Sequence, residues 1–164
     1  MVSKSSIASV LGVVVAVSLW FAMSHLAPPH VGEFAIILTK DNFKVVTDAD
    51  ILDYNPNSHE FTLTSECSER LRPMGWRLFG DFNIVMDGEI VLTGVVVPPV
   101  VSRSYDESQV VLLYPTFDVI EMNYKGMKLQ MGYPWDLSAY LDYANPLDNP
   151  RIAAHFEATG RLIG

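Results

Sequence analysis

The residues with the chemistry of a catalyst or metal centre are few, and their spacing limits what they can do. His25, His30, His59 and His155 are scattered along the chain. Pro28 and Pro29 separate the first two, so no helix holds them on one face, and no spacing resembles a zinc site. Asp48 and Asp50 offer two carboxylates to a hard cation, but after Thr47 they read as a capped turn. Cys67 is the only cysteine, so no intramolecular disulfide can form. It follows Ser65 and precedes Ser68 near a predicted helix start, where the helix dipole lowers a thiol pKa. A nucleophile also needs a positioned base, and none stands near it in sequence. A small buried apolar role is the expectation for Cys67.

There is no G-x-S-x-G, phosphate loop, dinucleotide fingerprint or H-E-x-x-H. The sequence thus assigns no catalytic residue, no metal ligand and no cofactor. A membrane-anchored hydrolase whose groups converge only in the fold stays open beside a binding domain. Asp87 precedes Gly88 between two apolar runs. That pair signals a type I′ hairpin, which needs positive φ at both central residues, so Asp87 reads as a turn residue. The methionines Met122, Met127 and Met131 read as core packing rather than a copper site.

The elements that must position these residues begin with one that lies apart. Ser5 to Ala27 contains no charged residue, and roughly 20 apolar residues span a bilayer as a helix. Trp20 and His25 suit a membrane interface, and Pro28-Pro29 ends the helix. Lys4 and the amino terminus are the only positive charges before it, which predicts a cytoplasmic N-terminus and residues 28–164 outside. The expected anchor is residues 1–27, crossing the membrane through 5–27. The alternative is a signal peptide cut near Ser24, after Ala22-Met23-Ser24, and secretion. Residues 28–33 read as a linker and 34–164 as an extracytoplasmic domain. Without Lys4, ten basic residues face nineteen acidic ones. That balance argues against nucleic acid as a partner.

The expected fold class is α+β, an antiparallel-rich sheet with short helices packed on it. Phe34–Thr39 and Phe43–Val46 read as a first hairpin. Thr47–Tyr54 reads as a capped helical turn, His59–Thr64 as a strand and Ser65–Gly75 as a short helix capped by Thr64 or Ser65 and closed by Pro73 and Gly75. Asp81–Gly94 reads as the Asp87-Gly88 hairpin. Gln109–Tyr114 is a strand, and Phe117–Tyr133 an amphipathic hairpin turning at Lys125-Gly126. Trp135–Tyr143 is compatible with a short helix. A better one follows, with Asn149 as N-cap, Pro150 at its first position and Gly160 as its stop.

Val95-Val96-Val97-Pro98-Pro99-Val100-Val101 reads as an edge or a bend, because proline gives no ladder donor. Val95, Val97, Pro98, Pro99, Arg103 and Tyr105 are therefore the candidate partner-binding residues.

The stretch from Thr47 to Ser104 resembles the extracytoplasmic P1 region of SecD, a subunit of the protein-export machinery. The shared pattern is a strand ending in threonine, "FTLT", then the helix "SECSERL". Gly80, "FNIVMDGEIV" and the exit at Pro98-Pro99 follow. The resemblance implies the α+β fold, with 34–115 as the P1-like part and 116–164 as a hairpin plus helical tail. It does not carry over transport. The expected function is an accessory or binding domain at the membrane, in an envelope protein complex or contacting exported polypeptide.

Overall fold

The computed structural model describes residues 32–118 and 121–164. The predicted segment 5–27, the Ser24 site, His25 and His30 lie outside the described residues. Among the described residues, no helix is long and apolar enough to cross a membrane.

Ten strands dominate the described residues. They are β1 (Phe34–Leu38), β2 (Lys44–Thr47), β3 (Ile51–Asn55), β4 (Glu60–Leu63), β5 (Gly80–Met86), β6 (Glu89–Val97), β7 (Tyr105–Leu113), β8 (Thr116–Asp118), β9 (Glu121–Asn123) and β10 (Gly126–Tyr133). The α-helices among them are two, α1 (Ser65–Leu71) and α2 (Pro150–Ala158). The expected α+β class is thereby overturned: the domain is mostly sheet. Two segments read as helical explain the difference. Thr47–Tyr54 gives only a 3-10 turn at Asp48–Asp50 and then enters β3. Trp135–Tyr143 gives only a 3-10 turn at Ser138–Tyr140. In β3 a register shift between Ile51 and Asp53 breaks the alternation that marks a strand.

Local signals behave as their chemistry demands. Thr64 Oγ1 accepts from Cys67 N at 3.2 Å and caps α1. Asn149 Oδ1 accepts from Arg151 N at 3.0 Å and caps α2. Asp87 and Gly88 both take positive φ, 54° and 79°, in the turn between β5 and β6.

Eight strands form one sheet in the order β2-β1-β5-β6-β7-β10-β4-β3, and β6-β7 is its parallel pair. It draws strands from both sides of residue 115. The predicted hairpin at Lys125-Gly126 does not form. β9 pairs with β8, and β10 instead lies between β7 and β4. Met127, Leu129 and Met131 bury fully there, which a central strand allows and a two-stranded hairpin does not.

The sheet curls into a half-barrel whose two flanks face each other. β1 and β4 stand second and seventh in the order, about 24 Å apart in a flat sheet at the usual strand spacing. Yet the Phe34 and Phe61 ring centroids are 5.8 Å apart. Register shifts in the β1-β2, β5-β6, β7-β10 and β3-β4 pairs supply the bending. Phe156 of α2 fills the seam, 5.3 Å from Phe34 and 5.2 Å from Tyr54. Such ring pairs add roughly 0.5–1.5 kcal/mol each beyond area burial. Past α2, Tyr54 N donates to Arg161 O and Ile163 N to Tyr54 O, so the chain covers the outer edge of β3.

The Val95–Val101 run is also corrected. β6 is a central strand, paired with β5 on one side and β7 on the other. Pro98 falls one residue beyond it, so no ladder donor is lost. Residues 98–104 then return to the start of β7 without a helix, where a parallel connection normally takes a dozen residues or more. This strap packs Val101 on a second small cluster formed by Val95, Val97, Val111 and Tyr133.

Candidate functional site

Because β6 and β7 run parallel, both leave the sheet at the same end, at Val97 and Leu113. Their exits diverge, Pro98-Pro99 into the strap and Tyr114-Pro115 into the β8-β9 hairpin. The 3-10 segment Arg72–Leu78 after α1 closes the third side. It bends at Gly75, whose φ of 47° and ψ of −121° are non-helical and open to glycine. Between these three segments lies a cleft of about 140 Å³. An apolar cavity of about 150 Å³ accepts a benzene ring, so this one fits a single phenylalanine or leucine side chain.

The lining is apolar. Trp76, Pro98, Pro99, Val100, Met122 and Tyr124 all contribute. Trp76 is 61% exposed, Val100 62% and Met122 39%, so the rim offers hydrophobic surface to solvent. The Arg72 guanidinium lies 4.9 Å above the Tyr124 ring. Tyr114 forms part of the wall; its ring is buried and its hydroxyl has no hydrogen-bond partner among the described residues. Burial raises the pKa of that phenol, so it stays protonated. What this arrangement does chemically is desolvate an apolar group against rings and prolines.

Of the six residues singled out in the sequence, Pro98 and Pro99 line the cleft. Val95 and Val97 are buried beneath the strap. Arg103 places its guanidinium 5.2 Å over the Phe79 ring. Tyr105 is half-buried in β7, opposite Tyr133. Tyr133 in turn donates its hydroxyl to Pro99 O at 2.8 Å and pins the strap. Val100, within the Val95–Val101 run, also lines the cleft, while sequence reasoning missed Trp76, Met122 and Tyr124. The available signal was Gly75-Trp76, a large ring set directly after a helix stop.

The residues with catalytic chemistry are occupied elsewhere. Asp48 Oδ1 receives His155 Nε2 and Arg161 Nη2, each at 2.6 Å. Burial pushes the Asp48 carboxyl up, but these hydrogen bonds outweigh it and hold the pKa below the ordinary value. Asp50 accepts from Thr47 N and Oγ1 at 2.8 Å and pairs with Arg70 at 2.9 Å. The two aspartates of the turn therefore face different cations rather than one metal. Cys67 is buried, and burial pushes its thiol up to about 11. The dipole effect expected at a helix start is overcome, so the thiolate is not available. His59 Nδ1 lies 3.3 Å from Tyr54 Oη, and its Nε2 lies 3.6 Å from Asp148. Among the described residues no group of three or more His, Cys, Asp or Glu side chains could hold a metal ion.

No family model matches the chain, and neither a curated protein nor a solved structure matches it.

Proposed function

We propose that this chain is a binding domain, tethered outside the cytoplasm by its apolar segment 5–27. Its cleft at the exits of β6 and β7 takes an apolar side chain of a protein partner. One observation carries the reading: Trp76, Val100 and Met122 stay exposed around a cleft sized for one ring or branched aliphatic group. Hydrophobic surface gathered on a concave rim is the signature of an interaction site. The resemblance of residues 47–104 to the SecD P1 region supports polypeptide as the partner class. The uncharged run from Ser5 to Ala27 supports the tether.

Two measurements test the proposal. Peptides carrying one Phe or Leu among polar residues are titrated against the full chain in detergent, followed by tryptophan fluorescence. Binding is expected, with loss of at least tenfold in affinity for Trp76→Ala, read by fluorescence anisotropy of a labelled peptide because the variant lacks the cleft tryptophan, and for Val100→Asp, in keeping with a central anchor pocket. Equal binding of an all-Ser peptide, or unchanged binding by both variants, overturns the cleft. Protease added to intact spheroplasts is expected to remove the domain, and full protection overturns the tether.

A further inference from the structure

The cleft carries a second kind of information in the charges beside it. Nineteen acidic residues oppose eleven basic ones in the chain, so a typical surface region should be acidic. The segment closing the cleft is not. Arg72 lines it, Arg77 follows the rim residue Trp76, and Lys40 Nζ reaches over to donate to Arg77 O at 2.6 Å and Phe79 O at 3.0 Å. Arg103, on the strap that carries Pro98 and Pro99, lies above the Phe79 ring. Among the described residues none of these four cations joins a salt bridge. Arg70, Lys128, Arg151 and Arg161 all have carboxylate partners.

Glu121 precedes the rim residue Met122, but among the described residues no acidic side chain lines the cleft. A wider groove lined by Trp135 and Tyr140 is bordered by Glu107 and Asp136. Among the described residues, the charged side chain lining the first cleft is basic and those lining the second are acidic. A guanidinium lying on a ring, as Arg72 does on Tyr124 and Arg103 on Phe79, is held in place while its N–H edge remains able to donate to a carboxylate.

We infer that the cleft's occupant is an acidic polypeptide segment. Its apolar anchor enters between Trp76 and Pro98-Pro99, and flanking Asp or Glu side chains meet Arg72, Arg77 and Arg103. This rests on the binding role proposed above and adds the chemistry of the partner. The protein's net charge repels such a ligand at long range. The local cations act within a Debye length of about 8–10 Å, so they select at contact rather than steer from afar.

The test uses three peptides with one Phe anchor flanked by Glu, Ser or Lys, on the full chain in detergent at 50 mM and 500 mM salt. At low salt the Glu peptide is expected to bind about tenfold tighter than the Ser peptide, and the Lys peptide more weakly than either. High salt should compress the three toward one value. Arg72→Gln with Arg77→Gln should remove the Glu preference, bringing the Glu peptide to the affinity of the Ser peptide. Trp135→Ala, in the other groove, should change nothing. A thermal unfolding midpoint near that of the parent verifies the fold of each variant. If all three peptides bind alike, or the double variant keeps the preference, the inference falls while the cleft stands. If none binds, the binding role falls with it.

Discussion

His155 Nε2 lies 2.6 Å from Asp48 Oδ1, joining the last helix to the turn between β2 and β3. Arg161 closes the same clasp. Its guanidinium donates to Asp48 Oδ1, Asp48 O and Ile51 O and lies over the Phe156 ring. One carboxylate therefore ties α2 and the segment after it to the turn between β2 and β3.

Asp48→Asn should weaken that clasp. Asp48 is 39% exposed, so solvent screens part of the effect, and a loss of about 1–2 kcal/mol is expected from the charged hydrogen bonds. The folded pKa of Asp48 is lowered from 3.8. Its stabilisation is thus complete above that value and fades as pH falls through the folded pKa. Urea unfolding from pH 2 to 6 should show a shallower acid decline in the variant. Parallel curves would separate Asp48 from acid stability.

His59 predicts a second pH effect at higher pH. Burial lowers its pKa below 6.5, outweighing the attraction of Asp148 at 3.6 Å. Asp148 is 68% exposed, so its charge is largely spent on water. The fold prefers the neutral ring, so stability is complete above pH 6.5 and declines as pH drops below it. His59→Gln should flatten the denaturation midpoint between pH 5 and 7. An unchanged slope there would assign the effect to another group.

Gly94 lies where β7 approaches β6. A Cβ there would sit 2.5 Å from Val110 O and 2.7 Å from Phe82 Cε1. Gly94→Ala should cost roughly 1–3 kcal/mol through overpacking. Thermal unfolding measures it, and a midpoint equal to the parent's would mean that the sheet relaxes around a methyl group.

The turn at Asp87-Gly88 separates a backbone role from a chemical one. Asp87→Asn should leave stability and peptide binding nearly unchanged, because asparagine adopts the same positive φ. Gly88→Val should destabilise by about 1 kcal/mol or more, since valine is forced to a φ of 79°. Chemical denaturation of both variants checks this. Lost binding in a stably folded Asp87→Asn protein would return Asp87 to the functional residues.

Legibility followed locality. The caps at Thr64 and Asn149 and the turn at Asp87-Gly88 depend on one or two neighbouring residues, and the sequence was enough to place them. The alternation of Met127, Leu129 and Met131 identified a strand but not its neighbours, because alternation says which face is buried and nothing about what pairs with it. β3 was hidden by its register shift. Helical readings at Thr47 and Trp135 shrank to single turns, since capping residues start a helix that only a buried face can extend. In the cleft, Pro98 and Pro99 were marked by their chemistry. Trp76 and Met122 matter because they remain uncovered, a property that exists only once the three segments have met.

The aromatic seam also sets an order of events during synthesis. Phe34, Tyr54 and Phe61 are all made before the ring that joins them, Phe156. Until α2 leaves the ribosome, growing at about 5–20 residues per second, the sheet lacks the piece that fills its seam. A ribosome that stops before Asn149 releases a sheet with three large rings uncovered. Such a product leaves open to chaperones and proteases the apolar surface that α2 covers in the complete fold.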